Sequence, residues 1–136
     1  MPAAAANAGS SPTAWYSYAI VRVVPQVERG EYINVGVVLF ARTMHYLEAR
    51  IELDPARLRL LSPNADVEDV QRHLEVFGRI AAGEADAGPI ATLGQSERFH
   101  WLTSPRSTVI QTSEVHVGRC EDPRVAIEDL LSRLVR

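Results

Sequence analysis

An α+β domain, with a mainly antiparallel four-stranded sheet and helices packed on one face, is what this chain predicts, and three observations predict it. Strand patterns are grouped early and helical patterns late, so the regular alternation that builds a parallel sheet is missing. Two Asp-Pro steps, Asp54-Pro55 and Asp122-Pro123, have the form of an N-cap followed by proline in the first helical turn. The helical segment between them carries its apolar residues at helical spacing. The expected order is β-β-β-α-β-α, in one domain from residue 15 to 136 behind a disordered tail over residues 1–14.

The tail is Ala, Asn, Gly, Ser, Pro and Thr after the initial Met, without a charged side chain or an apolar period, a composition that does not offset the entropy of ordering. Trp15 to Val24 is rich in aromatic and β-branched residues and reads as a first strand. Pro25 to Gly30 supplies turn residues. Tyr32 to Phe40 reads as a second strand, apolar on both faces for part of its length, with Gly36 marking a bulge or the close approach of another backbone. Tyr46 to Leu53 alternates as a third strand, with Tyr46, Glu48, Arg50 and Glu52 on a wet face.

Asp54-Pro55 opens a short helical stretch through Leu61. A longer helix is expected from about Asp66 to Ala82, with Val67, Val70, Leu74, Phe77 and Ala81 as its core stripe and Gly83 as its stop. Ser96 and Glu97 start a single helical turn carrying Phe99, His100 and Trp101, which Pro105 ends. Thr108 to Val117 alternates like a fourth strand, and the last helix follows Asp122-Pro123 with Ile127, Leu130, Leu131 and Leu134 on its apolar face.

Composition excludes several classes. With 136 residues, 46% hydrophobic and 23% charged, the chain has a globular composition and is long enough to bury roughly two thirds of its unfolded surface. No apolar run reaches membrane-spanning length, so no membrane association is expected. The single cysteine, Cys120, and the lack of a secretory start point to the cytoplasm. All 14 basic residues are arginine against 17 acidic ones, and the net charge of -3 disfavours non-specific binding of nucleic acid.

Three constellations stand out. The first is the turn Glu28-Arg29-Gly30-Glu31 leading to Asn34, an amide inside an apolar strand that needs partners for its donors and acceptor, from a bulge or from a ligand. The second is His100 and His116 with Cys120, which zinc would accept as ligand types but at no known spacing; no metal and no cofactor are expected. The third is Phe99 to Gln111. It gathers the His100 imidazole, the Trp101 indole, the Arg106 guanidinium and the hydroxyls of Ser107 and Thr108, groups suited to gripping a carboxylate or phosphate. Gln111 and Ser113 come into phase with Arg106 only if the strand bulges.

Two blocks carry a family resemblance. One is Tyr18 to Phe40, with Arg22, Pro25, Arg29-Gly30-Glu31, Asn34 and Gly36 to Phe40; the other is Phe99 to His116, followed by Cys120-x-Asp122-Pro123. In these residues the chain resembles the bacterial domain of unknown function 3037. The family supplies no activity to carry over. Its members are often encoded beside a protein similar to the HipA-type serine/threonine kinases, and the resemblance therefore implies a kinase partner or regulator, as in a toxin-antitoxin or stress-response pair.

Two functions follow as expectations. The preferred one is a non-catalytic binding module, with Arg22, Glu31, Asn34, His100, Trp101, Arg106, Ser107, Thr108, Gln111 and His116 as ligand or partner contacts. The alternative is a small hydrolase or phosphate-ligand enzyme, with His100 or His116 as base, Glu28 or Glu31 as second carboxylate, and Arg22 and Arg106 clamping a phosphate. The two readings diverge on whether the two blocks converge in one cleft. Oligomeric state is left open.

Overall fold

The computed structural model describes residues 12–136. The tail expected over residues 1–14 lies, through residue 11, outside the described residues, and the first strand already opens at Ala14. Five strands and four helices follow the order β1 (Ala14–Val23), β2 (Ile33–Ala41), β3 (Tyr46–Ile51), α1 (Pro55–Leu61), α2 (Val67–Ala82), α3 (Gln95–Leu102), β4 (Ile110–Thr112), β5 (His116–Cys120) and α4 (Pro123–Leu134). Every strand pair is antiparallel, as expected of the α+β class.

The sheet runs β3-β2-β1-β4, and β5 also pairs with β1. β4 and β5 together are the single fourth strand expected from Thr108 to Val117, split in two. Ser113 sits at the split: its N–H donates to the Ile20 carbonyl (2.9 Å) and its Oγ accepts from the Ile20 N–H (2.9 Å). A hydroxyl thus replaces one ladder carbonyl, and the backbone can bend without orphaning Ile20. A second irregularity lies between β1 and β2, where the register steps from Val21↔Gly36 to Arg22↔Asn34 and leaves Val35 of β2 without a partner on β1. Gly36 also fills a close approach, since a Cβ there would stand 2.5 Å from the Arg50 carbonyl and 2.7 Å from Ile51 Cδ1.

Both faces of the sheet are covered, which corrects the expectation of helices on one face. Ala19, Val21 and Val23 of β1 and Val35 and Val38 of β2 pack with Leu58 of α1, with Leu74, Phe77 and Ile80 of α2, and with Phe99 and Leu102 of α3. The alternate residues Val37, Leu39 and Ala41 pack with Ile127, Leu130, Leu131 and Val135, so α4 closes the opposite face. The pleat sends successive residues to opposite sides, and β2 is apolar at consecutive positions because each side has its own helix layer.

The helix boundaries follow their caps. Asp54, Asp66 and Asp122 accept backbone N–H groups of the first turns of α1, α2 and α4. Gly83 ends α2 at φ 76°, where its lack of a Cβ makes the left-handed conformation accessible. The expected single turn around Phe99 is a full eight-residue helix, α3.

The face of β3 expected to be wet stays partly exposed and also meets α4. Arg50 pairs with Glu48 (3.0 Å) and with Glu128 of α4 (3.1 Å), and Arg136 pairs with Glu128 (2.5 Å) and Glu52 (2.6 Å). The Tyr46 hydroxyl also donates to Glu48. Alternating charges along a strand look solvated in sequence, yet here they form a continuous chain that ties the end of α4 to β3.

Candidate functional site

A groove of about 860 Å³ opens on the α1–α3 side of the sheet, between α2 and the chain that leads from α3 into β4. Its α2 wall is Asp69, His73, Val76, Phe77 and Ile80, spaced so that they form one stripe along the helix. The other wall is Trp101, Arg106, Ser107, Thr108, Val109 and Ile110. The floor is largely apolar, and Val76, Trp101 and Val109 are exposed along it. Exposed large apolar side chains brought together in a concavity mark a binding surface more often than a folding requirement.

At the mouth of the groove Arg106 lies over the Trp101 ring, 4.5 Å from its centre, and donates through Nη2 to the Trp101 carbonyl. The helix α3 aims Trp101 outward, because Phe99 and Leu102 occupy its buried side. Burial lowers the Arg106 pKa from the usual arginine value, yet arginine stays charged throughout the physiological range. No carboxylate pairs with it among the described residues. Among the described residues the N–H groups of Ser107, Thr108 and Val109 also donate to no protein group, while the Thr108 hydroxyl is engaged with the Ile110 carbonyl (2.9 Å). A charged fork with open donors beside it suits an anionic group, and the apolar walls suit the body that carries it.

The remaining residues singled out from sequence are placed elsewhere. Arg22 and Asn34 pair across β1 and β2, and Gln111 pairs with Arg22 from the other side. All three therefore project from the α4 side of the sheet, opposite the groove. Arg22 stacks over Tyr32 at 4.1 Å, and Asn34 Nδ2 donates to the Leu134 carbonyl (3.0 Å) at the end of α4. The buried atoms Arg22 Nε and Asn34 Oδ1 have no hydrogen-bond partner among the described residues. Gln111 donates to the Thr108 carbonyl at 2.9 Å.

His116 stacks on Tyr18 at 5.4 Å and approaches Glu114 at 3.5 Å, on β5. His100 is exposed on α3, its Nδ1 3.0 Å from the Ser96 carbonyl one turn earlier. Glu31 is held by Arg29 through two hydrogen bonds of 2.8 and 3.2 Å on the β1–β2 turn, and this partner keeps its carboxyl below the usual range. Burial pushes the Cys120 thiol up, which makes the thiolate scarcer than in a free cysteine. Among the described residues no three His, Cys, Asp or Glu side chains gather as a metal site. Of the expected site, Trp101, Arg106, Ser107 and Thr108 come together, and Arg22 and Arg106 cannot clamp one phosphate across the sheet.

Two features were missed. The groove wall on α2 has helical spacing but not an apolar period, since its first two positions are Asp69 and His73; only a second, mixed stripe beside the core stripe would have signalled it. Arg98 is buried, donates to the Leu93 carbonyl (2.6 Å) and the Ala81 carbonyl (3.3 Å), and anchors α3 against the C-terminal end of α2, where carbonyls are in excess.

Residues 18–135 match the family described as Protein of unknown function (DUF3037). The chain belongs to that family. The DUF3037 match takes in all five strands except the first four residues of β1, all four helices and both walls of the groove. Comparison with curated proteins and with solved structures gives no match. In this DUF3037 domain no helix among the described residues is long and apolar enough to cross a membrane.

Proposed function

We propose that this domain is a cytoplasmic binding module that recognises a protein partner through the groove between α2 and the Arg106–Ile110 chain. The observation that carries the reading is Arg106, a cation without a carboxylate partner among the described residues, stacked on Trp101 at the mouth of an apolar groove. Trp and Arg dominate binding energy at interfaces because each combines a large contact area with a directed polar group. A complementary partner inserts apolar side chains between Val76 and Val109 and sets a carboxylate or phosphate against Arg106.

The partner proposed is the HipA-like serine/threonine kinase that the family resemblance implies, with this domain as its regulator. Co-expression of the two chains tests it. The kinase should co-purify with the wild-type domain and be lost with Val76→Arg, which places a long charged side chain on the exposed groove wall without touching the core. A domain that never retains the kinase rules out this partner.

A further inference from the structure

A second exposed apolar surface lies at the far end of the sheet, on the same side as the groove but separate from it. On this side Val117, Ser17 and Phe40 form a row across β5, β1 and β2, and Arg119 and Trp15 form the next row. The small Ser17 between two large neighbours leaves a hollow of about 240 Å³, walled by Trp15, Phe40, Arg42 and Val117. α3 stops short of it, covering Phe40 through Phe99 (5.4 Å between rings). Trp15 is 61% exposed and Val117 68%, a cost in water that a monomer's own packing does not offset.

Charge at this surface has one sign. Arg119 lies over Trp15 at 5.1 Å and bonds only the Thr13 hydroxyl (2.7 Å), and neither it nor Arg42 meets a carboxylate among the described residues. β5 pairs with β1 alone, so its outer edge is unpaired among the described residues. On the opposite face the Tyr16 ring closes over Gly118, where a Cβ would come within 2.6 Å of it. Alternate side chains of an added strand fall on the Trp15 face.

We infer that the β5 edge binds an extended acidic segment of another protein by strand addition. Main-chain hydrogen bonds to β5 fix the segment, and its side chains on the Trp15 face recur every second residue. One apolar side chain rests against Val117 and the hollow, and a carboxylate two positions away meets Arg119. The first 11 residues of this chain carry no carboxylate side chain and cannot supply that charge. The inference is independent of the α2 groove.

Selection of a random displayed peptide library on the full chain tests it. The expected peptides carry an aliphatic or aromatic residue and an Asp or Glu two positions apart. As synthetic peptides they bind at least tenfold more weakly to Arg119→Glu and to Val117→Lys, and equally well to Arg106→Ala. All three positions are solvent-accessible, so the variants keep the wild-type circular dichroism. Recovery of no peptide, only of peptides without carboxylates, or only of peptides indifferent to Arg119→Glu overturns the inference. So does a dimer in light scattering that Val117→Lys dissociates, because a second copy then occupies the edge.

Discussion

The guanidinium of Arg106 and the indole of Trp101 restrain one another, the first lying 4.5 Å above the second and bonding its carbonyl. A planar cation fixed on a ring loses less side-chain freedom on binding than a free arginine would. Arg106→Ala is therefore expected to weaken the partner at least tenfold, about 1.4 kcal/mol, with unchanged circular dichroism. Arg106→Lys keeps the charge but not the stacked fork, and should recover only part of that loss in a titration.

Glycine acts differently at two sites. At Gly36 a methyl group would collide with the Arg50 carbonyl, and Gly36→Ala should lower unfolding free energy by about 1–3 kcal/mol in urea titration. Gly78 lies inside α2 with the nearest outside atom, the Ala49 carbonyl oxygen, 4.0 Å from its would-be Cβ. Gly78→Ala should raise stability by about 0.5–1 kcal/mol through helix propensity.

Arg98→Ala removes a buried cation from two carbonyls it serves. A loss of about 2–4 kcal/mol is expected, because the carbonyls of Ala81 and Leu93 lose a charged donor inside the fold. Thermal unfolding of the variant measures it, and a change below about 1 kcal/mol would show that water replaces the guanidinium.

Glu48 and Glu52 sit in the ion chain that holds α4. Burial alone would raise Glu48, but the hydrogen bonds from Arg50 and Tyr46 outweigh it, and Arg136 lowers Glu52. Both carboxyls are thus easier to ionise folded than unfolded. Their contribution is complete above the unfolded glutamate value of about 4.3 and is lost as pH falls through their lower folded values. Acid titration of stability should show that loss, and Arg136→Ala should flatten it between about pH 5 and pH 3.

The strand grouping, the two Asp-Pro helix starts and Gly83 as a helix stop were legible because each depends on neighbouring residues alone. Helix layering was not, although the doubly apolar Val37-Val38-Leu39-Phe40 run already required cover on both faces. That the charged face of β3 also meets α4 was not legible, because an ion pair to α4 spans 78 residues of sequence, as between Arg50 and Glu128. The half of the site at Trp101 to Thr108 was visible as an excess of functional groups. Its separation from Arg22 and Asn34 was not, since it follows from the parity of two strands and one bulge.

The groove claim is tested most directly by site-specific photo-crosslinking in cells that also express the HipA-like kinase. A benzophenone side chain placed at Val76, on the groove wall, is expected to form a covalent adduct with the kinase, and Arg106→Ala should suppress it. The same probe at Leu60, 87% exposed on α1 and outside the groove, is expected to form none. An adduct from Leu60 with none from Val76 would contradict the account.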